Sequence, residues 1–391
     1  MIGHTFKSLT ITVCLCLLVV TSCSNDIGEI EQQNYATAIG VDYENGEYVI
    51  YIQMIGLESI AKSEGGDKSS PKVYVSKTTG KTFIDGFFKA YHTAQERIIW
   101  AHVTAILISQ SALEQGLENI FDGITRYYEF RPTPWVFGTK DSIEDILTNT
   151  GFFQQSSLYT ILHNPDSSYE QSSTIMPLKL NQFGREVFEP GRTTALPSLS
   201  INKKQWKVNK KKEPKLEIDG AFFLKEEKFK GFFSWEQIKG IRWITPGTER
   251  TALLVPKRNK PEFLAVLKKQ RFHIQPVKSG DHFQFNLTYQ ATGIISNRME
   301  NNVVNIETME DYTQETILAE IRDLYRLGLK HNIDFLNLEH QLYRKRNSDW
   351  ERLKKQNQDT FIRDNSIKDM NASITIEHSG SFKNRKIKIK E

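Results

Sequence analysis

All three cysteines of this 391-residue chain lie within its first 23 positions, at Cys14, Cys16 and Cys23. Everything beyond Cys23 must therefore fold without a disulfide and without a thiolate metal site, held by packing alone. The composition meets that demand. Hydrophobic residues make up 39% and Phe, Tyr and Trp 11%, enough for two or three compact modules with cores of their own. The aromatic content also argues against a mainly disordered chain. One quarter of the residues are charged and the mean hydropathy is −0.46, which excludes a polytopic membrane protein with repeated apolar runs of about 20 residues. The formal net charge of +4 is too small to imply nucleic acid, and no nucleic-acid partner is expected.

Residues 1–22 read as a cleaved secretory signal, with Lys7 as a basic start and Leu9–Val20 as the mostly apolar core. Twelve helical residues span about 18 Å against roughly 30 Å of bilayer hydrocarbon, so a permanent membrane helix is too long a reading. Val20-Thr21-Ser22-Cys23 then resembles the lipobox of bacterial lipoproteins. Small side chains fit the peptidase cleft, and the Cys23 sulfur accepts diacylglycerol before cleavage. Cys23 is the expected lipidation site and residues 23–33 a lipidated tether; the competing reading is an ordinary cleavage site with an incidental cysteine. One acyl chain anchors only marginally, whereas two or more hold stably.

The rest of the chain alternates strand and helix patterns. Tyr35–Asp42 and Gly46–Ile55 predict a hairpin around Asn45-Gly46, the strongest short signal of its kind. A loop over 58–71, a strand at 72–77 and a helix over 82–92 follow. A strand at 103–108 leads into Ser111-Ala-Leu-Glu114, read as a capping box opening a helix through Tyr128. Pro132 and Pro134 end that helix, Trp135–Thr139 is a strand, and Ser142 with Asp145 caps another helix. Residues 34–201 thus form one α/β-type module with a mixed sheet.

Seven lysines lie between 202 and 215, at positions 203, 204, 207, 210, 211, 212 and 215. The run suits a solvated hairpin tip or linker; the functional alternative is a patch resting on anionic lipid headgroups. A hairpin over 216–233 and a short helix capped by Ser234-Trp-Glu-Gln237 complete a small middle module, 202–255. The C-terminal module, 256–391, begins with strands at 263–267, 271–277 and 282–292. A long helix over 313–331 carries Ile317, Ile321, Leu324 and Gly328 in one stripe. A polar stretch to about residue 364 and a strand over 367–378 close it.

Motifs for chemistry are few. Gly80-Lys81-Thr82 lacks the earlier glycine of a phosphate loop, since position 75 is Val, and reads as a strand-to-helix turn. There is no Gly-x-Gly-x-x-Gly run, no Gly-x-Ser-x-Gly elbow and no His-Glu-x-x-His helix. His331 and His340 are expected at a surface or helix end, and Asp311, Glu315 and Glu320 on a solvated helix face. No catalytic, cofactor-binding or metal residue is assigned, and the expectation is a binding or structural subunit. The alternative is a lipid-anchored solute-binding protein of a nutrient importer.

In this order of motifs the chain resembles the Ger(x)C family, the lipoprotein C subunits of spore germinant receptors. The matching residues are Asp26, Glu29, Ile30 and Ile39-Gly40-Val41-Asp42, with Asn25 where the family usually has Trp. They continue in Asp219-Gly-Ala-Phe-Phe-Leu, Lys230-Gly-Phe-Phe-Ser-Trp235, Asp334-Phe-Leu-Asn-Leu338 and Trp350. Family members often carry glycine in the Asp-led turn, where this chain has Asn337 and Glu339. The resemblance implies an α+β, multi-module fold with mixed or antiparallel sheets, each surrounded by helices. It also implies a non-enzymatic receptor subunit at the spore inner membrane, partnered by membrane A and B subunits. Only Cys23 carries over as a site.

Overall fold

The computed structural model describes residues 34–56, 72–127, 129–257, 260–298, 305–357 and 360–377. The signal, Cys23 and its tether, the 58–71 loop, Tyr128 and the basic tail at 383–390 lie outside the described residues.

β1 (Asn34–Glu44) and β2 (Glu47–Ile55) pair antiparallel across Asn45-Gly46. Both turn residues have positive φ, 52° and 82°, the two-residue geometry whose twist matches its flanking strands. β3 (Val73–Gly80) adds to β2, and Thr82 caps α1 (Phe83–Lys89) by accepting from the Asp85 N–H at 3.1 Å. A Cβ on Gly80 would lie 2.1 Å from the Gly86 nitrogen, so the Gly80-Lys81-Thr82 glycine serves close packing of helix on strand.

After the short β4 (Ile98–Ile99), β5 (Ala105–Ser109) runs parallel to β1. Here the expected cap at Ser111 is corrected. Ser109 is the cap, accepting from the Ala112 N–H at 3.1 Å, and α2 is only Gln110–Gln115. Gly116, at φ 112°, interrupts the stripe before α3 (Glu118–Arg126) resumes it. β6 (Trp135–Thr139) lies parallel to β5, and Ser142 caps α4 (Ile143–Leu147) as expected. α5 (Asp166–Gln171), β7 (Leu178–Lys179) and α6 (Leu180–Val187) precede β8 (Thr193–Asn202).

Residues 202–255, expected as a small middle module, are shared out instead. β9 (Lys207–Val208) and β10 (Lys211–Lys212) form the lysine hairpin, while β11 (Lys215–Lys225) and β12 (Lys228–Ser234) extend the large sheet. Its order is β12-β11-β8-β6-β5-β1-β2-β3. The reason lies in the two-residue period of β11. Phe222 and Leu224 enter the N-terminal core while Ala221 and Phe223 enter the C-terminal one, and a strand apolar on both faces needs a layer on each. Ser234 and Gln237 close a turn, and α7 (Ile241–Ile244) begins only after it.

The second sheet has the order β13 (Arg250–Lys257), β14 (Lys260–Ser279), β15 (His282–Arg298) and β16 (Ile367–Ile376), with β16 parallel to β15. The two strands expected at 263–267 and 271–277 are one, bulged where Lys269 has φ 53°. α8 (Ile306–His331) buries the expected stripe of Ile317, Ile321, Leu324 and Gly328. The stretch expected to be merely polar contains α9 (Leu338–Lys345) and α10 (Asn347–Gln356). Their apolar faces rest on Leu338, Leu342, Trp350 and Leu353, too few for a legible period. The result is an α+β fold of two main sheets with helices packed on them.

Candidate interaction site at the junction of the two sheets

Polar residues gather in a hub within the large sheet, at a junction between that sheet and the turn before α9, and on the exposed lysine hairpin. In the hub, Asp42 ends the Ile39-Gly40-Val41-Asp42 run on β1. It accepts from the hydroxyls of Ser109 and Ser111, each at 2.5 Å, and from the Tyr43 N–H at 2.7 Å. Burial opposes ionisation there, but these bonds together hold its pKa below the usual carboxylate value. Asp42 thus ties β1 to the start of α2 through two serines from a different strand end.

The junction is built from the start of β8, the end of β11 and the turn between α8 and α9. Lys225 Nζ donates to Glu339 Oε2 at 2.8 Å, with side chains 4% and 0% exposed. Thr360 Oγ1 donates to the other Glu339 oxygen, and Asp334 Oδ2 accepts from the Glu339 N–H at 2.8 Å. Burial, then the neighbouring Glu339 carboxylate, raises the Asp334 pKa well above the ordinary range. The adjacent cavity measures only about 20 Å³, room for one water at most. Asp334 there locks the turn between α8 and α9 through the bond it accepts from the Glu339 N–H.

Asn337 answers the question raised by the missing glycine. It adopts φ 58°, a left-handed conformation that Asn tolerates better than most residues. From there its side chain accepts from the Thr193 N–H at 2.7 Å and donates to the Thr193 carbonyl at 3.2 Å. Substituting Asn for Gly therefore adds two bonds to β8 that glycine could not make.

His340, expected at a surface, is buried, and its Nε2 meets Glu189 at 3.2 Å. Burial lowers its pKa, so at neutral pH the uncharged ring donates to that carboxylate. Trp350 packs edge-on against Tyr343, and its indole nitrogen would lie 2.9 Å from a Cβ on Gly191. His331 is exposed, in keeping with its helix-end position.

Glu320 is also corrected. Asp311 and Glu315 are exposed as expected, but Glu320 takes two bonds from Arg242, at 3.0 and 2.9 Å, and one from Trp243 Nε1 at 2.6 Å. Arg242 lies over the Trp243 ring, 4.5 Å from its centre, fastening α7 to α8. Neither this cluster nor the Lys225–Glu339 pair was legible beforehand, because each joins residues far apart in sequence. The only advance signal was the Asp-led turn itself.

Two features face solvent. An apolar groove of about 650 Å³ runs between α3 and α6, lined by Phe121, Ile124, Leu180, Gly184 and Phe188. The lysine hairpin projects beyond β8 and β11, with six of its seven lysines exposed. The seventh, Lys215, is buried, paired with Glu213 at 2.6 Å. Among the described residues no three His, Cys, Asp or Glu side chains converge as a metal site. No described helix is long and apolar enough to cross a membrane.

Comparison with known proteins accounts for nearly the whole described chain. Residues 26–201 match the family described as spore germination protein N-terminal domain, and residues 218–380 the family described as spore germination B3/GerAC like, C-terminal. Spore germination protein KC of Bacillus subtilis (strain 168) is 22% identical over 366 residues, covering 88% of this chain and 89% of its own. YfkR of the same strain is 23% identical over 301 residues, covering 76% and 75%. The crystal structure of the GerBC protein superposes with a TM-score of 0.53 at 14% identity, covering 90% of this chain and all of that one. At that identity the superposition speaks for the fold alone, and it is the same α+β fold. The paired N- and C-terminal domains, in the order and at the positions where the motifs lie, make this chain a member of the GerC family of spore germination proteins.

Proposed function

We propose that this protein is a lipid-anchored, non-enzymatic subunit of a nutrient germinant receptor, acting with membrane A and B subunits. In this reading residues 1–22 are removed and Cys23 is acylated. The folded part then sits on the extracytoplasmic face of the spore inner membrane. The family match across both halves of the chain carries the reading. The junction supports a rigid adaptor in particular. Lys225 and Thr193 of the large sheet are tied to Glu339 and Asn337, at the start of α9, by a buried ion pair and two part-buried hydrogen bonds, which a two-lobed solute-binding protein hinged there would have to break at each opening.

Deleting the gene and assaying germination on individual nutrients tests the role. Loss of response to one class of nutrient, with A- and B-type subunits co-purifying from membranes, is the expected result. Micromolar nutrient binding to the purified protein with no partner recovered would replace this reading with the solute-binding one. Mass spectrometry of the mature N-terminus tests the anchor, and an unmodified terminus downstream of Cys23 would remove it.

A further inference from the structure

We propose that the lysine hairpin and the loop beside it form a second membrane contact, docking on the headgroups of an anionic bilayer. Lys203, Lys204, Lys207, Lys210, Lys211 and Lys212 are all exposed. The one acidic residue within the hairpin, Glu213, is already paired with Lys215. The positive charge is interleaved with apolar side chains that the fold leaves in solvent. Trp206 is 46%, Val208 50% and Phe153 94% exposed.

These groups are held together. Trp206 packs edge-on against Phe152 at 4.8 Å between ring centres, and Phe152 lies beside Phe153. Lys215 Nζ sits over the Phe152 ring and donates to the carbonyls of Thr150 and Gly151, at 3.0 and 2.9 Å. Asn149 donates to the Pro214 carbonyl at 3.3 Å. The loop at 149–155 is thus fastened to the hairpin base.

Asn209 and Lys210, at φ 49° and 70°, make the two-residue turn of the hairpin. Phe153 is different: at φ 55° it holds a left-handed conformation unfavourable for a bulky side chain. A phenylalanine held in that conformation gains nothing from the protein interior, since it has almost no contact with it. Lysines around Trp and Phe are the composition that binds anionic headgroups while aromatic rings enter the interface. An acidic protein surface would complement the lysines but leave the exposed rings unexplained.

Topology adds a distance. β8 is parallel to β6, β6 to β5 and β5 to β1, so the hairpin leaves the sheet at the end opposite the start of β1. β8 covers about 33 Å at 3.3 Å per residue, and the eleven steps from Cys23 to Asn34 reach at most about 36–40 Å. The tether is thus long enough for an anchored Cys23 and the hairpin to meet the same bilayer. This shared contact rests on the proposed anchor at Cys23; the hairpin contact itself does not.

The full mature protein, purified from membranes, would be mixed with vesicles of phosphatidylcholine alone or with added phosphatidylglycerol, each containing brominated lipid. Flotation on phosphatidylcholine alone reports the anchor. Quenching of Trp206, isolated by comparison with Trp206→Phe, reports the hairpin. Quenching should require phosphatidylglycerol and vanish at high salt. The triple variant Lys210→Ser, Lys211→Ser, Lys212→Ser should lower the docked fraction relative to the free one about a hundred-fold, near five-fold for each lysine. Phe153→Gly should raise the melting temperature by relieving its backbone yet weaken the quenching, a combination that a structural role would not produce. Quenching that is equal on the two lipids, or absent from both, overturns the proposal whether or not the protein floats. Protection of the hairpin only when a partner subunit is added would overturn it in favour of a protein contact.

Discussion

Replacing His163 by Phe isolates one buried histidine as a source of acid sensitivity. His163 is 8% exposed, and its Nδ1 lies 2.6 Å from Thr104 Oγ1, which in turn reaches the Thr37 carbonyl at 3.2 Å. The hydroxyl has one proton to give. With that proton on the Thr37 carbonyl, Nδ1–H donates to Thr104 and Nε2 is left as a buried acceptor with no partner. Protonating Nε2 would place a charge and an unpaired N–H in a dry site, and burial accordingly lowers the His163 pKa to about 3. The unfolded chain takes up this proton near pH 6.5 and the native state does not, so stability is complete above pH 6.5 and lost as pH falls below it. Between pH 7.5 and 5 the loss attributable to this residue is about 2 kcal/mol. Urea unfolding of wild type and His163→Phe at both pH values measures it as the difference between their two pH-induced losses. A variant that loses as much stability as wild type on acidification, or an NMR titration placing His163 near pH 6.5, would refute the reasoning.

Three further outcomes follow from the junction. Asp334 has a raised pKa, so the native state keeps a proton that the unfolded chain has lost, and its contribution declines as pH rises above the ordinary carboxyl range; Asp334→Asn should therefore gain stability over wild type on going from pH 4 to 8 in chemical denaturation. Lys225→Met leaves Glu339 buried without its cation and should cost about 3–5 kcal/mol, while adding Glu339→Gln should recover part of that loss, as a double-mutant cycle would show. Asn337→Gly keeps the left-handed backbone and loses only the Thr193 bonds, whereas Asn337→Ala loses both, so calorimetry should place Ala about 1 kcal/mol below Gly.

Much of this protein was legible because it depends on neighbours in sequence. The Asn45-Gly46 hairpin, the Thr82 turn, the Ser142 cap and the α8 stripe are local, since a turn type or a helical face is specified within a few residues. Where local signals competed, the nearer reading failed. Ser109 displaced Ser111 as the cap because β5 ends there, and Gly116 then divided the helix. The order of motifs, from Asp42 to Trp350, also pointed to the family, because turns and their packing residues leave short local signatures.

What the sequence determined by itself was therefore the ingredients: a disulfide-free chain beyond Cys23, its alternating strands and helices, and its lysine hairpin. Which of these meet was decided only by the tertiary structure. Nothing near Lys225 announces Glu339, 114 positions away, and nothing in β11 says that its two faces will serve different cores. Likewise, Glu320 looks solvated on its own helix until Arg242 and Trp243 are brought against it. The reason is physical. Backbone geometry answers to nearby residues, whereas burial of a charge depends on which distant segment arrives to exclude water and supply the counter-charge.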